Sequence, residues 1–326
     1  MRTLPFSSTI GSIDQLGLEA SLVKAVVMHA TGDVDVLRIE EVEVPEPREG
    51  EVLIRVHASA VNPVDWKYRL GVVERELPAV LGEDVSGTIE ASRADGFARG
   101  DRVFGVTTSG GHAEYATASA TAIARKPDEL SHEQAAALPV SGMTAWQSLF
   151  DRGRLERGQT ALIAGAAGGV GHLAVQFAKQ AGARVIGMGS RGSRDFVLGL
   201  GADEFVDYTH GDVTDAVCGV DLALDTVGGA TSASLLPTLR EGGTLVMIAY
   251  PPEPPPEDCR VWVKPLIMRP SSEQLARIGA LVASGAVRIV IAKQLCLSAV
   301  QQAQAASESG HTRGKIVLTV VAAAAP

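Results

Sequence analysis

The sequence predicts a mixed α/β protein built of two unlike parts, a β-rich, barrel-like portion and a doubly wound parallel sheet. Three observations carry this. Residues 24–122 hold short apolar or β-branched runs broken by turn residues. Residues 160–249 alternate apolar strands with helical segments. The first strand of that second region passes into its helix through a cluster of glycines, ALIAGAAGGVG at 161–171.

In chain order, residues 1–21 carry a lone basic residue and no continuous apolar block, so they read as an N-terminal extension rather than a signal peptide. KAVVMHA, VLRIEEVEV, EVLIRVHAS and GTIEAS follow, several alternating with period two, separated by breakers such as Pro45-Glu46-Pro47 and Asp95-Gly96. So many short strands suit barrel-like closure. SHEQAAALPVSGMTAWQSLF then opens with Ser131 and Gln134 in capping-box spacing, predicting a helical stretch. Strand TALIAGA, helix VGHLAVQFAKQAG, strand RVIGMG, helix SRDFVLGLGA, strand DLALDTV, helix SASLLPTLREGG and strand TLVMIAY come next. Such alternation predicts βαβ units around a parallel sheet covered on both faces. PPEPPPEDC is a proline-dense loop, SSEQLARIGALVASGAV an amphipathic helix, and HTRGKIVLTV a closing strand.

Composition narrows the function. Apolar residues make up 46% and charged residues 21% of 326, enough for a packed core. A formal charge of −9 argues against a nucleic-acid or anionic-membrane surface. Cys218, Cys259 and Cys296 are scattered, which fits neither a disulfide framework nor a structural zinc site and points to reduced thiols in the cytoplasm. No segment reaches the apolar length of a membrane span.

The glycine cluster implies a phosphorylated ligand. A tight turn from strand to helix presents main-chain N–H groups at a positive helix end, where a pyrophosphate docks if no side chain obstructs it. Ala166 stands at the first glycine position of the dinucleotide fingerprint, with Gly168 and Gly171 at the others and Gly169 and Val170 between. Strand, turn and helix supply the context that the letters alone lack. The second strand ends in Gly189-Ser190-Arg191, with Arg194 close behind, where an NAD-preferring fold carries an acid for the ribose diol. A hydroxyl and two guanidinium groups attract a 2′-phosphate, so the cofactor expected is NADPH.

With these pieces on the page, the chain resembles the medium-chain dehydrogenase/reductase superfamily, in its zinc-free quinone oxidoreductase-like (zeta-crystallin-like) branch. NPVDWKYRLG (62–71), LPAVLGEDVSG (77–87), GDRVFGV (100–106), GGHAEYA (110–116), AALPVSGMTAW (136–146), AGAAGGVG (164–171), LGADEFVDY (200–208), DTVGG (225–229) and RGKIVL (313–318) carry the likeness. The resemblance implies a GroES-like catalytic domain at 22–143 and 282–326, a Rossmann NADP-binding domain at 144–281, and an active site in the cleft between them. Homodimers are common in the family, so a homodimer is expected.

Zinc members carry ligands where this chain has Asn62, Glu83 and Val140. Catalytic zinc needs three protein ligands drawn from His, Cys and carboxylates, so no metal is expected. The acceptor must then already be electrophilic, a quinone or a conjugated carbonyl compound, needing a positioned nicotinamide, an apolar slot and a modest donor. The resemblance places Asn62, Asp65, Lys67 and Tyr68 along that slot, with Asn62, Lys67 and Tyr68 as candidate catalytic groups. It places Thr144 beside the nicotinamide, Tyr208 near the adenosine, and Arg313 and Lys315 back at the cleft. Asp225, Val227, Ile248, Ala249 and Tyr250 end strands at the carboxyl edge of the sheet, where ligands bind in such folds. His112 and His172 read as packing or cap residues.

The sequence thus predicts an NADPH-dependent reductase of quinones or similar electrophilic carbonyl compounds. Reduction of an alkenal, enone or enoyl C=C bond by the same site, and a non-catalytic NADPH-binding protein, are the alternatives. A short-chain dehydrogenase is disfavoured, because no tyrosine is followed four residues later by lysine.

Overall fold

A computed structural model describes residues 22–249 and 260–320. The expected N-terminal extension, Tyr250 and the whole proline-dense loop through Cys259 lie outside the described residues.

The first portion is β-rich, as its short apolar runs dictate. Strands β1 (Leu22–Met28) and β2 (Leu37–Glu43) are followed by β3 (Glu51–Val61), helix α1 (Pro63–Arg69), β4 (Ala79–Val80), β5 (Asp84–Ser92), β6 (Arg102–Val106), β7 (Tyr115–Ser119) and β8 (Ile123–Arg125). β2, β1 and β4 make a small antiparallel sheet. β3, buried along most of its length, is central to a larger one.

The helical stretch predicted after Ser131 is divided. The capping box forms, with Gln134 N–H donating to Ser131 Oγ at 3.2 Å and Ser131 N–H donating to Gln134 Oε1 at 3.0 Å. The helix α2 (His132–Ala136) that it starts ends before Pro139, which has no N–H to continue the ladder. Helix α3 (Pro139–Trp146) restarts with that proline in its first turn and runs into a wider π turn at Gln147–Arg152.

The second portion holds β9 (Thr160–Ala164), α4 (Gly171–Gln180), β10 (Arg184–Gly189), α5 (Arg194–Leu198), β11 (Glu204–Asp207), α6 (Val213–Ala216), β12 (Val220–Asp225), α7 (Ala230–Leu235), β13 (Leu239–Met247) and β14 (Trp262–Pro265). Its six strands pair in parallel in the order β11-β10-β9-β12-β13-β14. β9 is the first strand laid down and is flanked by β10 and β12, so the order reverses there and leaves a crevice at its carboxyl end. The predicted helix SASLLPTLREGG is half wrong. The α-helix stops at Leu235 ahead of Pro237, a 3-10 turn spans Leu236–Thr238, and Leu239 to Gly243 begin β13.

Helix α8 (Ser272–Ala283) leads back to the β-rich portion, where β15 (Ile291–Cys296), α9 (Val300–Glu308) and β16 (Lys315–Thr319) complete it. β16 lies antiparallel to β3, giving the order β15-β16-β3-β5-β6-β8 with β7 also on β3. A single hydrophobic core joins the two portions, with Phe104, Leu138 and Met143 packed with Leu173 and Ile278.

Candidate functional site

Strand register assembles the reactive end of the site. Ile316 of β16 pairs with Val61 of β3, so Lys315 falls level with Asn62, while Ala60 pairs with Asp84 of β5. Three distant stretches thereby bring an amide, a carboxyl and an ammonium together. Lys315 Nζ donates to Asn62 Oδ1 at 2.5 Å and lies 3.4 Å from Asp84 Oδ2 and from the Val61 carbonyl. Asn62 Nδ2 donates to Asp84 Oδ2 at 2.9 Å, and Val140 N–H donates to Asp84 Oδ1 at 2.7 Å. All three side chains are buried.

Asn62 also caps α1. Pro63 takes the first helical position, and the Asn62 N–H donates to Asp65 Oδ2 at 2.8 Å. The other oxygen of Asp65 accepts from Gly82 N–H at 3.2 Å, tying the helix start to the loop before β5. At the far end of α1, buried Arg69 donates to Gln304 Oε1 and the Gly32 carbonyl and pairs with Glu308, clamping the helix to α9. The helix that carries Asn62, Lys67 and Tyr68 is therefore held at both ends.

Burial shapes the charges here. Desolvation raises the carboxyl of Asp65 to about 6 and that of Glu83 to about 7, each further lifted by neighbouring carboxyls. Asp84 is also raised by burial, against the pull of Lys315. His112 is fully buried, and desolvation lowers its imidazole to about 4. Ser59 Oγ donates to the Asp84 carbonyl at 2.7 Å, which leaves it to accept from His112 Nδ1 at 2.9 Å. Among the described residues His112 Nε2 has no hydrogen-bond partner, and it lies 3.8 Å from Asp65 Oδ2.

Lys67 is half-buried, its ammonium lowered by desolvation and set 5.4 Å from the centre of the Trp66 ring. The Arg75 guanidinium lies 5.0 Å over the Tyr68 ring. Both candidate donors stand one helical turn past Asn62, outside its buried network.

The glycine loop forms the other end. Gly165 takes a left-handed φ of 67°, the turn that the motif requires. A Cβ at Gly171 would lie 2.1 Å from the Gly165 carbonyl oxygen, so this glycine serves close strand–helix packing. At Gly168 a Cβ would meet only that same oxygen, at 3.3 Å. Neither Gly169 nor Val170 uses its main-chain N–H in a hydrogen bond among the described residues. A loop with open space at one glycine and idle amides at a helix start fits a pyrophosphate. Ala166 is buried and contributes its methyl to the core against Gly187 rather than to a ligand surface. His172 accepts from Val290 N–H through Nε2 at 3.3 Å and contacts the Gly168 carbonyl through Nδ1, a packing role as expected.

Beyond β10, Ser193 fastens the turn by donating from Oγ to the Ser190 carbonyl at 2.7 Å. Arg191 and Arg194 are exposed, and the Arg313 guanidinium comes to 3.1 Å from where a Gly192 Cβ would stand. None of the three arginines makes an ion pair with a described residue. Tyr208, 57% exposed, directly follows β11 with its N–H on the Gly189 carbonyl, beside this loop.

Other expected contacts are redistributed. Asp225 is buried and its carboxylate is taken up by Val227 N–H, Gly228 N–H and Ser232 Oγ, so it shapes the turn instead of facing a ligand. The turn presents Val227, 58% exposed, with Ile248 and Ala249 packed beside it. Thr144 lies buried in α3. Lys315 turns its ammonium into the Asn62 network, and its stem passes Gly169.

The residues present do not suit a catalytic zinc. Val140 offers only a backbone N–H, Asn62 is engaged on both sides, and an ammonium sits between Asn62 and Asp84. Among the described residues, no three His, Cys, Asp or Glu side chains gather as a metal site. Asp84 and Ser59 are not among the residues that the sequence singles out; the available signal is an acid at the head of the short strand DVSGTIEAS.

Two sequence families match the chain, the alcohol dehydrogenase GroES-like domain over residues 48–128 and zinc-binding dehydrogenase over residues 200–318. The chloroplast envelope quinone oxidoreductase homolog of Arabidopsis thaliana is 33% identical over 85% of this chain and 92% of its own length. The 2-methylene-furan-3-one reductase of Solanum lycopersicum is 33% identical over 88% of this chain and 76% of its own. A mycobacterial protein solved in complex with NADPH superposes with a TM-score of 0.85 at 30% identity, covering 91% of this chain and all of that one. The GroES-like sheet, the Rossmann sheet and these relatives make the chain a nicotinamide-dependent oxidoreductase of the medium-chain dehydrogenase/reductase superfamily, in its quinone oxidoreductase-like branch.

Proposed function

We propose that this oxidoreductase uses NADPH, without zinc, to reduce a quinone or a similar electrophilic carbonyl compound. One observation carries the reading: residues 313–315 join both ends of the site. Arg313 stands at the Gly192 turn, Gly314 N–H donates to the Ala167 carbonyl of the glycine loop at 2.9 Å, and Lys315 enters the Asn62–Asp84 network. A cofactor laid along this segment has its phosphates at one end and its reactive ring at the other. When bound, the nicotinamide supplies hydride.

The chain's own residues supply the rest. Arg191, Arg194 and Arg313 form a cationic pocket suited to a 2′-phosphate, and the mycobacterial relative's NADPH supports that choice. Gly168, Gly169, Val170 and Gly171 cradle the pyrophosphate, and Tyr208 offers its ring to the adenine. The Lys315–Asn62–Asp84 network fixes the Asn62 amide at the reactive end. Lys67 and Tyr68, on the same clamped helix, are donors for a developing oxyanion.

The test is an NADPH-consumption screen across quinones and conjugated carbonyls, repeated with NADH. Quinone turnover with NADPH favoured is expected; tight NADPH binding with no turnover of any acceptor would make this a non-catalytic binding protein. Reduction of a conjugated C=C bond is the second reading, favoured by the likeness to the tomato methylene-furanone reductase.

Among the described residues no helix is long and apolar enough to cross a membrane. The exposed free thiols of Cys218 and Cys296 suit a reducing compartment, and we assign the cytoplasm. We also infer a homodimer. β14 is hydrogen-bonded on one edge only among the described residues, beside Trp262 at 65% and Ile267 at 62% exposure. Sedimentation velocity showing a monomer at micromolar concentration would refute that.

A further inference from the structure

Three carboxyls crowd the reactive end: Asp65 on α1, Glu83 in the loop between β4 and β5, and Asp84 at the start of β5. The cation in closest contact is Lys315 of β16, 3.4 Å from Asp84. Arg75 acts on Glu83 from the loop after α1, but its guanidinium donates to the Val80 carbonyl and covers the Tyr68 ring.

The three acids are not equally supported. Asp84 accepts from Val140 N–H and Asn62 Nδ2 and has Lys315 beside it. Asp65 accepts from two backbone N–H groups. Each of those donors favours the charged form. The Glu83 carboxyl receives no hydrogen bond and no ion pair from a described residue, although its main chain is pinned by Thr107 N–H at 2.8 Å on its carbonyl. Like charges packed together away from water do not all ionise, and the proton stays on the carboxyl with the fewest donors. Burial and the two neighbouring aspartates, which lift Glu83 to about 7, agree with this. Asp65 and Asp84 are sealed, whereas Glu83 keeps partial contact with solvent through which a proton can return.

We propose that Glu83 is the proton donor of the site, completing the reduction after hydride has reached the acceptor. The proposal rests on the reductase reading above. Bound NADPH would supply the hydride with both electrons. On a conjugated C=C acceptor a C–H bond forms and the displaced π electrons collect on the carbonyl oxygen. A quinone takes the hydride on one oxygen as an O–H bond, and the displaced electrons collect on the other oxygen. The O–H bond of Glu83 then breaks. Its proton joins the α-carbon of the enolate, or the oxygen of a hydroquinone anion, and the carboxylate keeps the electron pair until water reprotonates it. Oxygen anions take protons from water readily, whereas carbon does not, so the donor matters most for a conjugated C=C acceptor.

The test compares wild type with Glu83→Gln, which keeps shape but has no acidic proton, and Glu83→Asp, which restores one. With an enone, wild-type turnover should fall as pH rises through about 7, while Glu83→Gln loses that limb and runs roughly 10²–10⁴ slower. Glu83→Asp should recover part of the rate, a quinone should show a much smaller loss, and NADPH affinity by fluorescence should stay within about twofold. A readout independent of turnover is the infrared C=O stretch of a protonated carboxyl in the cofactor-free protein. Its component that titrates at about 7 should be present in wild type and missing in Glu83→Gln, which keeps only the Asp65 component at about 6. An enone rate and alkaline limb unchanged in Glu83→Gln, or an unchanged carboxyl band, would overturn the donor role alone. A wild type that binds NADPH and shows the titrating band, yet turns over no acceptor, would remove the reductase reading and the donor role with it.

Discussion

Lys315→Met tests whether the Asn62–Asp84–Lys315 network is a buried charge pair. Lys315 is 3% exposed and Asp84 fully buried, with 3.4 Å between ammonium and carboxylate. At an effective dielectric of about 20 their attraction is about 5 kcal/mol. Removing the ammonium leaves Asp84 with Asn62 Nδ2 and Val140 N–H alone, and an uncompensated buried charge costs about 3–5 kcal/mol. Methionine matches the stem that passes Gly169, so little packing is lost. Asp84→Asn removes the charge that is stranded, and the double variant should recover at least half of the Lys315→Met loss. Urea unfolding at pH 7 measures all three. A loss below about 1 kcal/mol in Lys315→Met, or no recovery in the double variant, would refute the pairing.

Arg191→Ala combined with Arg313→Ala should weaken NADPH binding by roughly 10–100-fold and leave NADH nearly unchanged, since each exposed guanidinium–phosphate bond is worth about 1 kcal/mol or somewhat more; fluorescence titration with each dinucleotide checks it, and equal losses would remove the 2′-phosphate assignment. Gly171→Ala should destabilise the fold by several kcal/mol, because its methyl would fall 2.1 Å from the Gly165 oxygen. Gly168→Ala, with its single contact at 3.3 Å, should fold with near-normal stability yet bind cofactor poorly. Thermal melts and titrations on the pair separate packing from ligand space.

Features encoded locally were legible in the sequence. The glycine loop, the capping box at Ser131 and the missing acid after β10 each lie within a few residues, so the turn, the cap and the exposed arginines of the loop after β10 could be read directly. The division of the helix at Pro139 and the start of β13 after Pro237 were written just as locally, but apolar periodicity masked the prolines. What escaped reading is what depends on register between distant strands. Nothing near RGKIVL says that Lys315 falls level with Asn62, because the pairing of Ile316 with Val61 spans most of the chain. Asp225 illustrates the converse. Its place at a strand's carboxyl end suggested a ligand contact, yet the turn's own N–H groups and Ser232 take up its oxygens.

Stability against pH gives a test of the acid cluster that needs no cofactor. Buried His112 and His172 are held neutral down to about 4 in the folded chain, against 6.5 when unfolded. Between those values the unfolded chain binds more protons, so both lower stability as pH falls from 6.5 toward 4. Asp65 and Glu83 act in the opposite sense. Their carboxyls rise from 3.8 and 4.5 to about 6 and about 7 on folding, so the folded chain keeps protons that the unfolded chain has released. Their contribution is present at low pH and lost as pH rises through the folded values. The two pairs oppose each other over much of the range, so wild-type stability should change little between pH 4.5 and 6. Glu83→Gln removes one carboxyl from this balance. The variant's stability should then climb more steeply with pH than wild type by about one proton, ~1.4 kcal/mol per pH unit, from about 4.5 to 7. It should match wild type at pH 4 and exceed it by up to about 3 kcal/mol at pH 8. Urea unfolding across that range decides the matter: stabilities that track each other at every pH would mean that the folded chain leaves Glu83 ionised, with no proton there to deliver.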